Sequence, residues 1–207
     1  RPELDVREAF VDVQLPEVAD VVEKALADRG LASVGGSEDD FEPGAVVVPL
    51  LLSVGFHVRV DIAASVADRP ARAAAPLGPH PLLVEILVDR LAAVDLRPQD
   101  AVVLAAAGST DPDAARDVRA VASALAVALE REVTVGYGAG ADPRVPAAVD
   151  AARASLEPGG RVVVASYLLA PGYFYDRVLE AGADVVTAPL APDPRLAALV
   201  LLRYAEA

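Results

Sequence analysis

Val46-Val-Val-Pro-Leu-Leu-Leu-Ser-Val-Gly-Phe-His57 aligns without a gap on Val163-Val-Ala-Ser-Tyr-Leu-Leu-Ala-Pro-Gly-Tyr-Phe174. Leu77-Gly-Pro-His-Pro-Leu-Leu83 aligns in the same way on Leu190-Ala-Pro-Asp-Pro-Arg-Leu196, and the stretch from Asp5 to Pro16 corresponds to that from Val133 to Pro143. The blocks keep their order and recur at intervals of about 113 to 127 residues, a domain-sized unit far longer than a solenoid repeat. The chain therefore reads as a duplication, with a first lobe over residues 1–95 and a second, degenerate copy over residues 96–207. Leu96-Arg-Pro-Gln-Asp100 is the expected linker, because Pro98 breaks the preceding helix and a new strand follows at once. The second copy opens with a strand and helix, from Ala101-Val-Val-Leu-Ala-Ala-Ala-Gly-Ser-Thr-Asp-Pro112 onward, for which residues 1–4 supply no equivalent. The first copy is thus expected to lack about one strand and one helix at its front.

Runs of β-branched and aliphatic residues alternate with amphipathic Ala/Leu/Val stretches, which is the pattern of βαβ units around a mainly parallel sheet flanked by helices. In the first copy the expected strands are Val6–Val11, Ala45–Leu51 and Ala71–Ala75, with helices at Pro16–Asp28, His57–Ala67 and His80–Val94. The polar stretch Ser33–Gly44 reads as an inserted loop without a counterpart in the second copy. The second copy gives strands at Val102–Ala106, Val133–Tyr137, Arg161–Tyr167 and Asp184–Thr187. Its expected helices are Pro112–Glu130, Pro143–Leu156, Tyr173–Ala181 and Asp193–Ala205.

Composition narrows the function classes. At 207 residues and 54% hydrophobic, the chain has enough apolar material for one large domain or two small ones. Pro49, Gly55, His57 and Arg59 interrupt the longest apolar stretch before it reaches the 18 or so residues of a membrane span. No secretory signal is visible, and a cytoplasmic protein without a membrane partner is expected. The absence of cysteine excludes disulfides, thiolate zinc sites, Cys-ligated iron–sulfur clusters and thiol nucleophiles. A net charge of −13, with Lys24 the sole lysine and no Lys/Arg cluster, argues against nucleic acid. An anionic ligand would need a local basic pocket against that field. Because the two copies already supply a pseudo-twofold partner, a monomer is expected.

The residues that stand out for chemistry lie at strand ends, where side chains converge on the crevice of an α/β sheet. His57 follows a buried strand and the turn residue Gly55, and its counterpart in the second copy is Phe174, so the scaffold does not require an imidazole there. Asp12 ends the strand that begins at Val6, opposite Ala139 in the alignment. An imidazole nitrogen and a carboxylate oxygen from adjacent strand ends suit a divalent first-row metal with positions open for exchange; helix capping and rim packing are the bland alternatives. His80, matched by Asp193 before a helix, reads as an N-cap. Arg59, Arg69 and Arg72 flank the His57 helix as cations suited to carboxylates. Gly136-Tyr-Gly-Ala-Gly140 lacks the spacing of a dinucleotide loop, and Gly108-Ser109-Thr110 lacks the lysine of a phosphate loop.

Pro49-Leu-Leu-Leu-Ser-Val-Gly-Phe-His-Val-Arg-Val-Asp-Ile62 resembles the most distinctive motif of the sirohydrochlorin chelatases, the cobalt- or iron-inserting enzymes of cobalamin and sirohaem synthesis. Phe10-Val-Asp-Val-Gln-Leu-Pro16 and Leu77-Gly-Pro-His-Pro81 are similar to further blocks of that family, and the likeness extends over essentially the whole chain. The resemblance implies a chelatase-like fold of two α/β lobes facing across a cleft. It implies a catalytic, metal-binding histidine at His57 and a metal-binding carboxylate at Asp12, where the family carries glutamate. A second histidine belongs in a His-Gly-Ser motif after the first strand; the second copy reads Ala107-Gly108-Ser109 there, and the matching segment of the first copy is outside the sequence. The substrate implied is a carboxylate-bearing tetrapyrrole, held by Arg59 and by backbone N–H groups near Ser53 to Gly55. Co²⁺ or Fe²⁺ is a substrate, and no organic cofactor is implied. The alternative is a catalytically inactive protein of the same fold that binds tetrapyrrole or metal without turnover.

Overall fold

A strand such as Val102-Val-Leu-Ala-Ala106 has no polar side chain on either face, and it is stable only where both faces are covered. The computed structural model describes residues 3–11, 14–31, 43–55 and 57–207, with residues 57–59 described by backbone alone. In chain order the elements are α1 (Val18–Asp28), β1 (Ala45–Val47), a π-helical segment (His57–Ile62), α2 (Ala63–Val66), β2 (Ala71–Ala73) and α3 (Pro81–Ala93). There follow β3 (Ala101–Ala106), α4 (Pro112–Leu129), β4 (Val133–Tyr137), α5 (Val145–Ala154), β5 (Val162–Tyr167), α6 (Tyr173–Leu179), β6 (Val185–Val186) and α7 (Pro194–Glu206). They divide into two compact units: unit 1 takes Arg1–Pro49, Phe56–Pro76 and Leu201–Ala207, and unit 2 takes Leu50–Gly55 and Leu77–Val200.

Unit 2 is a three-layer α/β/α sandwich around a parallel sheet of order β4-β3-β5-β6. β3 and β5 run side by side from Ala101 against Val162 to Ala106 against Tyr167, and both are buried almost throughout. On one face, Val103, Ala105, Val162 and Val164 pack against Val145, Ala148, Val149 and Ala152 of α5 and Val178 of α6. α3 and α4 cover the other face. α3 sends Leu83, Ile86, Leu87 and Leu91 inward, all without solvent exposure, and this i, i+3, i+4, i+8 spacing places them along one stripe of the helix.

Asp100, immediately before β3, fastens the amino-terminal edge of this sheet. Its buried carboxylate accepts from the Arg161 guanidinium at 2.6 Å and from the backbone N–H groups of Arg97 and Arg161 at 3.0 Å each. Burial by itself would raise this carboxyl group's pKa, but the Arg161 hydrogen bond and the two backbone donors outweigh it and bring the pKa down to about 2.

Unit 1 pairs β1 with β2 in parallel, Ala45 against Ala71 and Val47 against Ala73. α1 covers them through Val18, Val22 and Leu26, which recur every four residues and face Ala45, Val47 and Ala71. The C-terminal residues belong here too: Arg203 Nε donates to the Pro76 carbonyl at 2.8 Å, and Arg72 Nη1 donates to the Ala207 carbonyl at 2.8 Å.

The duplication read from the sequence reappears in the hydrogen bonds. The register of β1 on β2, Val46 against Arg72, is that of β5 on β6, Val163 against Val185. The Ala74 N–H donates to the Val47 carbonyl as the Thr187 N–H does to Val164, and the Phe10 N–H donates to the Pro16 carbonyl as Tyr137 does to Pro143. Among the described residues four cis X–Pro bonds occur, on the two aligned proline pairs Pro16 with Pro143 and Pro79 with Pro192.

Three expected elements are corrected. Val6–Val11 forms no strand: Phe10 makes a single bridge to Glu17, because no counterpart of β3 stands beside it among the described residues to supply a ladder. β1 stops at Val47 and not at Leu51, since Pro49 has no N–H to continue the ladder. The expected α-helix from His57 to Ala67 begins as six residues of π-helix, His57–Ile62, before α2 continues it. The insertion at Ser33–Gly44 lies mostly outside the described residues.

Replacing Asp100 with Ala is expected to destabilise the protein by about 3 kcal/mol at neutral pH, because the buried Arg161 contacts lose their acceptor. Since the folded carboxyl group has the lower pKa, its contribution is full above about pH 4 and disappears as the pH falls toward about 2. Urea unfolding of wild type across that range should lose on the order of 2 kcal/mol more than Asp100→Asn does.

Candidate functional site

The backbone leaving β1 carries the expected site residues in close succession. Ser53 and Gly55 are both half-buried and lie in segment 50–55, which is part of unit 2. His57 opens the π-helical segment and Arg59 is its third residue, both in unit 1. The side chains of His57 and Arg59 lie outside the described residues, as does the whole of Asp12. A π-helix is rare and is frequent at functional sites. Among the described residues no group of three or more His, Asp or Glu side chains is arranged to hold a metal ion.

Segment 50–55 is held by polar contacts made to its backbone. The Tyr167 hydroxyl donates to the Leu52 carbonyl at 2.8 Å, and the Val54 N–H donates to Asp117 Oδ2 at 2.9 Å. The Gly78 N–H donates to the Leu51 carbonyl at 3.3 Å. Gly78 also has to be glycine here, since a Cβ would overlap the Leu52 carbonyl and the Tyr167 hydroxyl. Burial, followed by the nearby Asp117 carboxylate, raises the pKa of Tyr167, which keeps its hydroxyl a hydrogen-bond donor. Neither Asp117 nor Tyr167 is a candidate in the sequence reading. The one signal available for them is a polar aromatic closing a mostly apolar strand, and it does not name a partner.

The second copy shows what the same strand ends look like without a histidine. Phe174, aligned with His57, packs over Gly138, the neighbour of Ala139, which is aligned with Asp12; a Cβ on Gly138 would come within 2.8 Å of Phe174 Cδ1. Gly108 has φ +85°, and a Cβ there would overlap the Ala139 carbonyl. The Gly138 and Ala139 N–H groups donate to the Ala106 and Ala107 carbonyls, each at 2.8 Å. The glycine cluster at 136–140 thus serves close backbone packing. Ser109 Oγ accepts from the Asp111 N–H at 3.1 Å, and Asp111 in turn caps α4.

The remaining candidates have structural partners. His80 Nδ1 accepts from the Leu82 N–H at 3.2 Å and Asp193 Oδ1 from the Arg195 N–H at 3.0 Å, so both cap helices as expected. The hydrogen bond from Arg195 lowers the Asp193 carboxyl pKa to about 2. Arg69 donates to the Ser65 carbonyl at 2.6 Å, and Arg72 to Ala207 as described above. A cavity of about 270 Å³ lined by Pro98, Asp100, Arg131, Thr134 and Ser155 lies at the amino ends of β3 and β4, at the opposite end of the sheet from Gly108 and Gly138. Among the described residues no helix is long and apolar enough to cross a membrane.

Two successive α/β copies, each with parallel strands and helices on the faces of the sheet, define a fold of the chelatase type. The CbiX family model matches residues 1–94 and again residues 101–207, and the chain belongs to the CbiX family. Its structure is similar to that of SirB from Bacillus subtilis with Fe³⁺, with TM-score 0.77 and 21% identity over 99% of this chain and 82% of that one. The sirohydrochlorin chelatase SirB from Bacillus subtilis subspecies spizizenii in complex with cobalt gives TM-score 0.68 and 20% identity over 96% and 78%. CbiX from denitrifying bacteria, described as the terminal enzyme for biosynthesis of siroheme, gives 0.56 and 22% over 78% and 75%. At these identities the likeness is one of fold. No curated protein sequence matches the chain.

The close approach at Gly108 has a measurable consequence. Gly108→Ala is expected to cost at least about 2 kcal/mol, from the strained backbone together with the displaced Ala139 carbonyl. Gly159→Ala, at φ +87° with nothing within 4 Å, is expected to cost about 1 kcal/mol from the backbone alone. Equal shifts of the urea midpoints would contradict the packing described at Gly108.

Proposed function

We propose that this chain inserts a divalent metal, Co²⁺ or Fe²⁺, into sirohydrochlorin, a step of cobalamin or sirohaem biosynthesis. The observation that carries the proposal is the CbiX match over both halves, with His57 standing at the start of a π-helical segment after a parallel strand. In this reading residues 1–95 are the reacting copy and residues 96–207 the degenerate one. The alignment assigns His57 and Asp12 to the positions of Phe174 and Ala139, and in unit 2 those two positions are neighbours through Gly138. That adjacency supports a shared role for the imidazole and the carboxylate.

The chemistry asks for such a pair. Insertion exchanges the metal's hydration shell for the ring nitrogens and expels the pyrrole protons. A neutral histidine near pH 7 serves as a transient metal ligand or as the base that takes a proton. Asp12 assists with a carboxylate oxygen as a further ligand. The substrate's carboxylates need compensation against a net charge of −13, and Arg59 supplies it together with the backbone N–H groups of Ser53 and Gly55, that of Val54 being taken by Asp117. The metal enters as substrate, and no organic cofactor takes part. We further propose a monomeric, cytoplasmic protein that has a tetrapyrrole as its ligand and no nucleic-acid or membrane partner.

Anaerobic incubation with sirohydrochlorin and Co²⁺ or Fe²⁺, followed by the absorbance change of the macrocycle, tests the reading. His57→Ala is expected to slow insertion by about 100-fold or more, the usual scale for a lost acid–base group. Equal rates for the variant and wild type would remove His57 from the reaction. A wild type that binds the macrocycle without any insertion would leave the inactive binding protein as the answer.

A further inference from the structure

Tyr173 and Phe174 form an aromatic pair at the carboxyl end of the unit 2 sheet, the end at which open α/β sheets take their ligands. Phe174 is seated among backbone. A Cβ on Gly138, just beyond β4, would come within 2.8 Å of Phe174 Cδ1 and 3.1 Å of the carbonyl of Ala107, just beyond β3. Tyr173 meets Phe174 edge to face, with ring centroids 5.4 Å apart and planes at 76°. The Arg177 guanidinium stands over the Tyr173 ring, 5.4 Å from its centroid. Tyr173 nevertheless stays 69% exposed, and among the described residues of unit 2 it is the one aromatic in the set of exposed large apolar side chains. Segment 50–55 of the same unit passes this end as well, since a Cβ on Gly55 would stand 3.8 Å from Ser109 Oγ.

We infer that Tyr173, backed by Phe174, and Arg177 form a platform for the tetrapyrrole, with the Tyr173 ring against the macrocycle and the guanidinium on one of its carboxylates. An aromatic ring left in water by folding gains by covering a flat conjugated ligand. The ring is already held by Phe174 on one side and Arg177 on another, so little freedom is lost when the ligand arrives. A guanidinium stacked on a ring keeps its N–H edge for a carboxylate. The present partner of Arg177 is Glu180, at 3.1 Å, and both side chains are mostly exposed. Such a pair contributes little, and a ligand carboxylate can take the place of Glu180. A purely apolar ligand would leave this cation unused, whereas a planar ring system that carries carboxylates engages both groups. The second copy, with Phe174 where the first has His57, thus holds the macrocycle and not the metal. The inference rests on the reading of the protein as one that takes a tetrapyrrole.

Titration with sirohydrochlorin in the absence of metal, followed by the absorbance of the macrocycle, tests binding apart from insertion. Tyr173→Ala is expected to raise Kd about tenfold, the scale of one aromatic ring lost from a stack on a conjugated plane. Tyr173→Phe, which keeps the ring, should bind as the wild type does. Arg177→Ala is expected to raise Kd by a similar factor and to make binding less sensitive to salt, because one ion pair with the ligand is gone. Val127→Ala removes an equally exposed apolar side chain from the far end of α4 and should leave Kd unchanged. All four positions are exposed, so the fold is not at stake in the comparison. Wild-type affinity in Tyr173→Ala or in Arg177→Ala would overturn the inference. Weakened binding in both, together with a wild type that inserts no metal, would remove the chelatase reading and leave the platform standing. Insertion by Tyr173→Ala at unchanged KM would do the reverse.

Discussion

The hydrogen bonds that Tyr167 and Asp117 make to the backbone of Leu52 and Val54 are the constraint on which the account of the site depends. They hold a segment with no secondary structure of its own at the carboxyl ends of two buried strands. Each bond joins residues more than 60 positions apart, and both come from the second copy to the first. A pair of contacts this distant in sequence exists only because the parallel sheet of unit 2 presents Tyr167 and α4 side by side. The sheet in turn depends on the nearly complete burial of β3 and β5 and on the Asp100 carboxylate, which ties their amino ends through Arg161.

Duplication explains both the fold and its asymmetry. The two copies share strand register, the turn hydrogen bonds at Phe10 and Tyr137, and the capping positions of His80 and Asp193. They differ where chemistry is expected. In the second copy Phe174 and Gly138 fill the strand end with apolar contact, and Gly108 brings two backbone segments together. A strand end packed in that way presents apolar contact at the positions where the first copy carries His57 and Asp12.

The sequence makes the second copy legible almost residue by residue. Val133–Tyr137 is a strand over the expected residues, and the other strands and helices of residues 101–207 begin and end within one or two positions of expectation. Continuous apolar strands, Asp111 and Asp193 before prolines, and helical stripes such as Val118, Val121, Ala122 and Leu125 are strong local signals. The first copy is less legible for a physical reason. Val6–Val11 has the composition of a strand, but strands exist by pairing, and composition does not show whether a partner is present. The π-helical start at His57 also has no simple periodic signature. Site residues follow the same division. His80 and Asp193 were legible as caps because capping is local, and His57 and Asp12 stand out through their replacement in the other copy. Asp117 and Tyr167 were hidden because their role depends on a contact across the duplication.

The central claim is that metal is handled at one imidazole of the first copy. Substoichiometric Co²⁺, which is paramagnetic, added to the protein while the imidazole NMR signals are followed, tests it most directly. The account predicts that the His57 signals shift and broaden first while those of His80, engaged as a helix cap, stay sharp. Signals of both histidines that respond together, or a His57 signal that ignores the metal, would contradict it.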